Sequence, residues 1–189
     1  RIHALSFEIR HFTEDGTAEG TPLLPGFALH SCWGAIGNSS DGDIYIAVSN
    51  HSYPDGNVAL FKYDPAADNM ALLGDIKSVS TAAGNWRAGE SQEKIHTHLH
   101  EHADGRLYMA THDNSTGALT EHRGAKVYTI DRADRIEDYT AETAHYLDRN
   151  MNPRSGTIGV LTQHYGLIAL GLNPGAPDIV YGITYPDGY

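Results

Sequence analysis

Twelve histidines stand among 189 residues, and five of them, His96, His98, His100, His102 and His112, fall in the stretch EKIHTHLHEHADGRLYMATH at residues 93–112. Imidazole exchanges protons near neutral pH and binds metals when neutral, so such a cluster points to acid–base or metal chemistry. In a strand, alternate side chains share a face, which predicts His96, His98 and His100 together, with His102 following unless the chain has turned. A His-x-His pair on one strand face, His96 with His98, is an arrangement for two ligands on one ion. His30 or His112 would complete a site for Zn²⁺ or Mn²⁺. Glycosidase chemistry needs two carboxylates across the scissile bond, and no such acid pair accompanies the histidines. The Gly-x-Ser-x-Gly elbow of serine hydrolases is also absent. β-Elimination from a uronic acid fits better. It needs a base for the C5 proton, an acid for the leaving oxygen and a neutraliser for the carboxylate, and His and Tyr supply the first two. An arginine or a metal ion supplies the third.

The elements that must position these residues are short strands. Ala-Asp-Gly at 103–105 is a turn signal, so residues 93–102 and 106–112 read as a hairpin whose open end brings His96 and His112 to one edge. Upstream, residues 1–12 read as a strand and 13–26 as a Gly/Pro/Asp-rich connection. An apolar strand follows at 31–37, then strands at 43–48 and 58–63 and an outer strand at 70–79. The unit repeats: Asp41-Gly-Asp-Ile-Tyr-Ile-Ala47 is matched by Asp104-Gly-Arg-Leu-Tyr-Met-Ala110, and Leu60–Asp64 by Val127–Asp131. A third unit begins near His164, gives strands at 167–172 and 178–181, and ends in Tyr-Pro-Asp-Gly, a copy of the turn at 53–56. Tandem units of four antiparallel strands predict an all-β fold, a β-propeller of four-stranded blades near 27–80, 93–145 and 160–189. Both termini fall inside repeat units, so the chain reads as one partial propeller domain spanning 1–189, with the rest of the ring supplied elsewhere.

The repeat also predicts where a site lies. In each blade the start of the innermost strand and the end of the second strand reach the same face of the disc. His30 and His51 hold these two positions in one unit, His96 and His112 in the next, and His164 with Tyr165, followed by Tyr185, in the third. Connections carrying Trp86, Arg87 and Arg154 enter from this side. The catalytic candidates are therefore His30, His51 and His112. The substrate-binding candidates are His96, Arg87, Arg154, Tyr185, His164 and Tyr165, and the metal candidates are His96 and His98. His3, His11, His122 and His145 read as surface or satisfied residues. Trp33, Tyr45, Phe61, Tyr108 and Tyr128 read as core between blades, and Asp64 and Asp131 as turn residues.

Composition narrows the partners. With 24 acids against 13 bases, the formal net charge of −11 argues against nucleic acid, whose phosphates need a basic surface. A single cysteine, Cys32, excludes an internal disulfide. No apolar run approaches membrane-spanning length, and the first residues have no signal-peptide core.

The segments HSCWGAIG, DGDIYIAVSNH and GNVALFKYD, followed by KIHTH and DGRLYMATH, resemble the seven-bladed propeller lyases that cleave ulvan, over residues 25–131. The resemblance implies a secreted or periplasmic polysaccharide lyase with His30 and His51 as the active-site pair and an acidic polysaccharide or oligosaccharide as substrate. It also marks a departure: His96 and His112 stand where that family carries a tyrosine and a neutralising arginine, leaving Arg87, Arg123, Arg154 or a metal for that role. The His cluster is similar, more distantly, to that of the oligogalacturonate lyases, metal-dependent propellers. That likeness implies a divalent metal (Zn, Mn or Ca) and no organic cofactor. The alternative class is a non-catalytic propeller that binds glycans or proteins, since fold does not fix function.

Overall fold

A computed structural model describes residues 29–52, 55–113 and 125–139 with their side chains, and the backbone alone of 17–18, 21–22, 166–173 and 176–185. Strands β1 (Thr17–Ala18) and β2 (Thr21–Pro22) pair with each other. The alternating run IYIAVS forms β4 (Ile44–Ser49), whose Tyr45, Ala47 and Ser49 are buried while the residues between them are half-buried. It lies in an antiparallel sheet of order β3-β4-β5-β6, with β3 (Ile36–Asn38), β5 (Val58–Asp64) and β6 (Asn69–Asp75). Asp64 closes the β5–β6 turn by accepting the backbone N–H groups of Ala66 and Ala67, and Asp131 does the same for Ala133 and Arg135.

The second unit repeats this order. Strands β7 (Gln92–Ile95) and β8 (His100–Glu101) both pair with β9 (Leu107–Asp113). Strands β10 (Val127–Ile130) and β11 (Ile136–Asp138) follow outward. The repeated Asp-Gly-x-x-Tyr segments thus become β4 and β9. A hairpin of β12 (Gly166–Asn173) and β13 (Ala176–Tyr185) joins the same sheet, with Gly166 opposite His112. Strands therefore appear where the third unit was expected, carried as an extension of the second sheet.

Three local expectations are corrected. The outer strand expected over 70–79 stops at Asp75, and helix α1 (Ile76–Ala82) takes over. Asp75 caps the helix by accepting the Ser78 N–H at 2.9 Å, an N-cap signal that the apolar alternation masks. The inner strands expected over 31–37 and within 93–102 are each interrupted. In the first, the chain leaves the ladder between the Ser31–Ser49 bridge and Ile36, turning through Gly34 at φ +104°, a region glycine enters freely. In the second, the Thr97 hydroxyl accepts the Ala110 N–H at 3.0 Å where a backbone carbonyl would serve.

The two sheets share one core. Tyr45, Ala47, Val58 and Leu60 of the first, with Ile76 of α1, meet Ile95, Leu107, Met109, Tyr128 and Ile130 of the second and Leu99 between β7 and β8. The backbones come close at two glycines. A Cβ on Gly37 would stand 2.0 Å from the Leu99 carbonyl oxygen, and one on Gly56 2.3 Å from Ser91 Oγ. Tyr45, Phe61, Tyr108 and Tyr128 are buried as expected, but Trp33 is 43% exposed. It rides on the excursion before Gly34 and not on a core-facing strand position.

Candidate functional site

The interruption at residues 32–35 gives the site its shape, because it lifts Trp33 out of the sheet and in among the histidines. His30 and His51 stack with ring centroids 5.5 Å apart and an interplanar angle of 23°. His51 stacks on Trp33 at 5.3 Å, Trp33 meets His96 at 5.7 Å, and His96 meets His112 at 5.4 Å. Four histidines from both sheets thus form one continuous chain of rings through a tryptophan. His30 is exposed, His51 and His96 are half-buried, and His112 is buried.

Backbone details set these positions. His30 and Ser31 donate their backbone N–H groups to the Ser49 carbonyl, tying the first ring to the end of β4. The His30 imidazole also contacts Ser31 Oγ at 2.9 Å. His51 adopts a left-handed backbone at φ +48°, a conformation that costs of order 1–3 kcal/mol for a residue other than glycine and gathers at functional sites. In β7 the register slips between Gln92, opposite Asp113, and Lys94, opposite His112. The extra residue is Glu93, and such a bulge re-aims side chains.

Two neighbouring charges consequently reach the rings. Lys94 Nζ lies 4.8 Å from the centre of the Trp33 ring and 3.3 Å from Glu93 Oε1. Glu93, buried, also lies 3.9 Å from His51 Nε2. Burial and the Lys94 cation both work against protonation of the deeper imidazoles. His112 is pushed down to about 4, first by desolvation and then by Lys94, His96 and His51. His96 is lowered by desolvation and Lys94, against an opposing pull from Glu93. Both are neutral at pH 7, able to accept a proton or a hydrogen bond.

The structure therefore brings together His30, His51, His96 and His112. His98 belongs elsewhere: Ile95, Thr97 and Leu99 are buried, so His96, His98 and His100 do turn to the other side, but His98 is exposed and its ring edges onto His100 at 6.0 Å. Among the described residues no three of His, Cys, Asp and Glu gather closely enough to hold a metal ion. His96 and His98 are not part of such a group. His102 packs on Tyr108 and Asp104, at the closed end of its hairpin. Arg87 sits in the turn before β7, where its backbone N–H is donated to Glu90 Oε2 at 3.0 Å.

Tyr185 ends β13 opposite Gly166, which is itself opposite His112, so its backbone reaches the same sheet edge. Arg123, Arg154, His164 and Tyr165 lie outside the described residues. Sequence reading missed Trp33, Glu93 and Lys94 as parts of the site. The Cys-Trp-Gly sequence, with glycine after the ring, is the one signal that hinted at a break in the strand. No protein-family model matches the chain, and no curated protein matches it.

Proposed function

We propose that this chain is part of a β-propeller polysaccharide lyase that cleaves a uronic-acid-containing, ulvan-like polysaccharide by β-elimination. The observation that carries the reading is the chain of four histidine rings around the exposed Trp33, contributed by equivalent edges of two repeated units. The repeated strand order, the shared core between the two sheets and the resemblance of residues 25–131 to ulvan-cleaving propellers support the same reading. A secreted or periplasmic location belongs to the same proposal.

In this mechanism His51 takes the C5 proton of the uronate. Glu93, 3.9 Å from His51 Nε2, stabilises the imidazolium that results. His30, the most exposed ring, gives a proton to the departing glycosidic oxygen. The electron pair left at C5 forms the C4–C5 double bond as the C4–O bond breaks, so one chain becomes two without water. His96 and His112, neutral and deeper, accept hydrogen bonds from sugar hydroxyls. Trp33 offers an apolar wall to the ring.

The test is a scan of uronic polysaccharides for the ultraviolet absorbance of an unsaturated uronate. Activity on at least one polymer is expected, and His30→Asn or His51→Asn should lower its rate by about 10²–10⁴-fold, the usual share of a general acid or base. Asparagine suits position 51 because it tolerates the left-handed backbone there. Full activity in both variants, or no unsaturated product from any polymer, overturns the assignment. In the latter case a glycan-binding propeller takes its place.

A further inference from the structure

Elimination beside a carboxylate is eased when a cation offsets that carboxylate's charge, because the developing carbanion is otherwise repelled by it. The two deeper histidines do not bring one. His96 and His112 are both held towards their neutral forms by burial and by a neighbouring cation. The described cations are mostly engaged with carboxylates of their own. Lys62 is bound to Asp43 and Asp134, Lys77 to Asp55, Lys126 to buried Glu90, Arg132 to Glu101 and Arg135 to Asp131.

Lys94 is placed differently. Its ammonium lies over the Trp33 ring at 4.8 Å, inside the chain of histidines, and its residue is the register partner of His112. Glu93 stands 3.3 Å away. A lysine ammonium has three donors, so the contact with Glu93 leaves donors for a ligand while fixing where the charge sits. The β7 bulge is what makes this possible. It places the consecutive residues Glu93 and Lys94 against the same group of rings, where a regular strand would turn them to opposite faces.

We propose that Lys94 binds the uronate carboxylate of the substrate and so does the work expected of an arginine, with Glu93 holding the ammonium in position. This rests on the elimination reading of the same site. It also explains how a chain of net charge −11 accepts an acidic polymer: one cation stands at the mouth, where the reacting sugar lies.

The experiment measures binding by titration calorimetry, using the whole chain, ulvan, and the same polysaccharide after its carboxylates have been reduced to alcohols. The wild type should prefer native to reduced polymer. Lys94→Met, of similar length but without charge, should weaken binding of native polymer by about tenfold or more, the worth of a charge-assisted hydrogen bond, and leave the reduced polymer unaffected. Lys94→Arg should restore most of the preference, which a purely structural role in the bulge would not predict. Equal losses on both polymers, or an unchanged preference in Lys94→Met, overturn the assignment. The outcome separates it from the parent reading. If the wild type shows the Lys94-dependent preference but releases no unsaturated product, elimination fails and carboxylate recognition stands. If product forms at the wild-type rate in Lys94→Met, carboxylate recognition fails and elimination stands.

Discussion

The four histidine rings differ in exposure, and that difference sorts their chemistry. The outer pair, His30 and His51, meets solvent. The inner pair is desolvated beside a fixed cation and stays neutral. This has a consequence for stability. The folded-state pKa of His112 is about 4 against an ordinary 6.5, so between these values the unfolded chain binds the proton that the folded chain refuses. Stability is then whole above about pH 6.5, falls as the pH drops towards 4, and has no further loss from this group below that. His96, shifted in the same direction, adds to the slope. Thermal melts at intervals across this range should show a Tm that declines on the acid side. A His112→Phe variant, which keeps a ring against His96 but has nothing to protonate, should decline less steeply; an unchanged slope would remove His112 from the explanation. The histidines themselves were legible in the sequence because a repeat aligned them, two per unit, at matching strand ends. Trp33 and Lys94 were not. Their roles depend on where the backbone leaves the ladder, and a residue's type does not record that.

At the scale of elements, the period-two alternation was a sound guide wherever strands were regular. β4, β5, β9 and β10 lie where their apolar residues alternate or run together, and Asp41-Gly42 and Asp104-Gly105 turn just before β4 and β9. Besides the excursion at Gly34, it failed at three places where a local feature overrode it. One is Thr97, whose hydroxyl serves in the ladder; another is the Glu93 bulge, where one strand carries an extra residue. The third is Asp75, which ends β6 and caps α1. Its carboxylate accepts from Ser78 N at 2.9 Å and from the buried Asn57 amide at 2.7 Å. Asp75→Ala removes a cap worth about 1 kcal/mol and strands a buried amide at about 1–3 kcal/mol. Urea denaturation should therefore show a loss of about 2–4 kcal/mol. Asp75→Asn, which still caps, should recover part of it. A loss below about 0.5 kcal/mol in the alanine variant would mean that the helix start is held by packing alone.

For the whole molecule, the decisive feature is the seam between the two sheets, because the ring chain crosses it. Trp33 belongs to the first unit and His96 to the second, so their 5.7 Å contact exists only while the sheets keep their present offset. Tyr45, Leu60, Met109 and Tyr128 fill the seam. Ser80 of α1 reaches across to Asp138 at 2.6 Å and to the Tyr128 hydroxyl at 2.7 Å. Gly37 sets the closest approach, since any Cβ there would stand 2.0 Å from the Leu99 carbonyl oxygen, just beyond the hydrogen bond from Leu99 N to Ile36 O. Gly37→Ala must push the sheets apart, at a cost in the range of overpacking, about 1–3 kcal/mol or more. Because the same displacement separates Trp33 from His96, the carboxylate preference in polysaccharide binding should fall along with stability. Gly42 provides the comparison. Its φ of +96° makes alanine unfavourable there, yet nothing lies within 4 Å of the added Cβ, and the turn precedes β4 whereas His51 follows it. Gly42→Ala should cost about 1–3 kcal/mol of strain and leave binding untouched. If the two variants lose stability equally and both bind normally, the site does not depend on the offset of the sheets. If only Gly37→Ala loses binding, the histidine chain is a product of two repeated units held edge to edge, and neither unit carries the site alone.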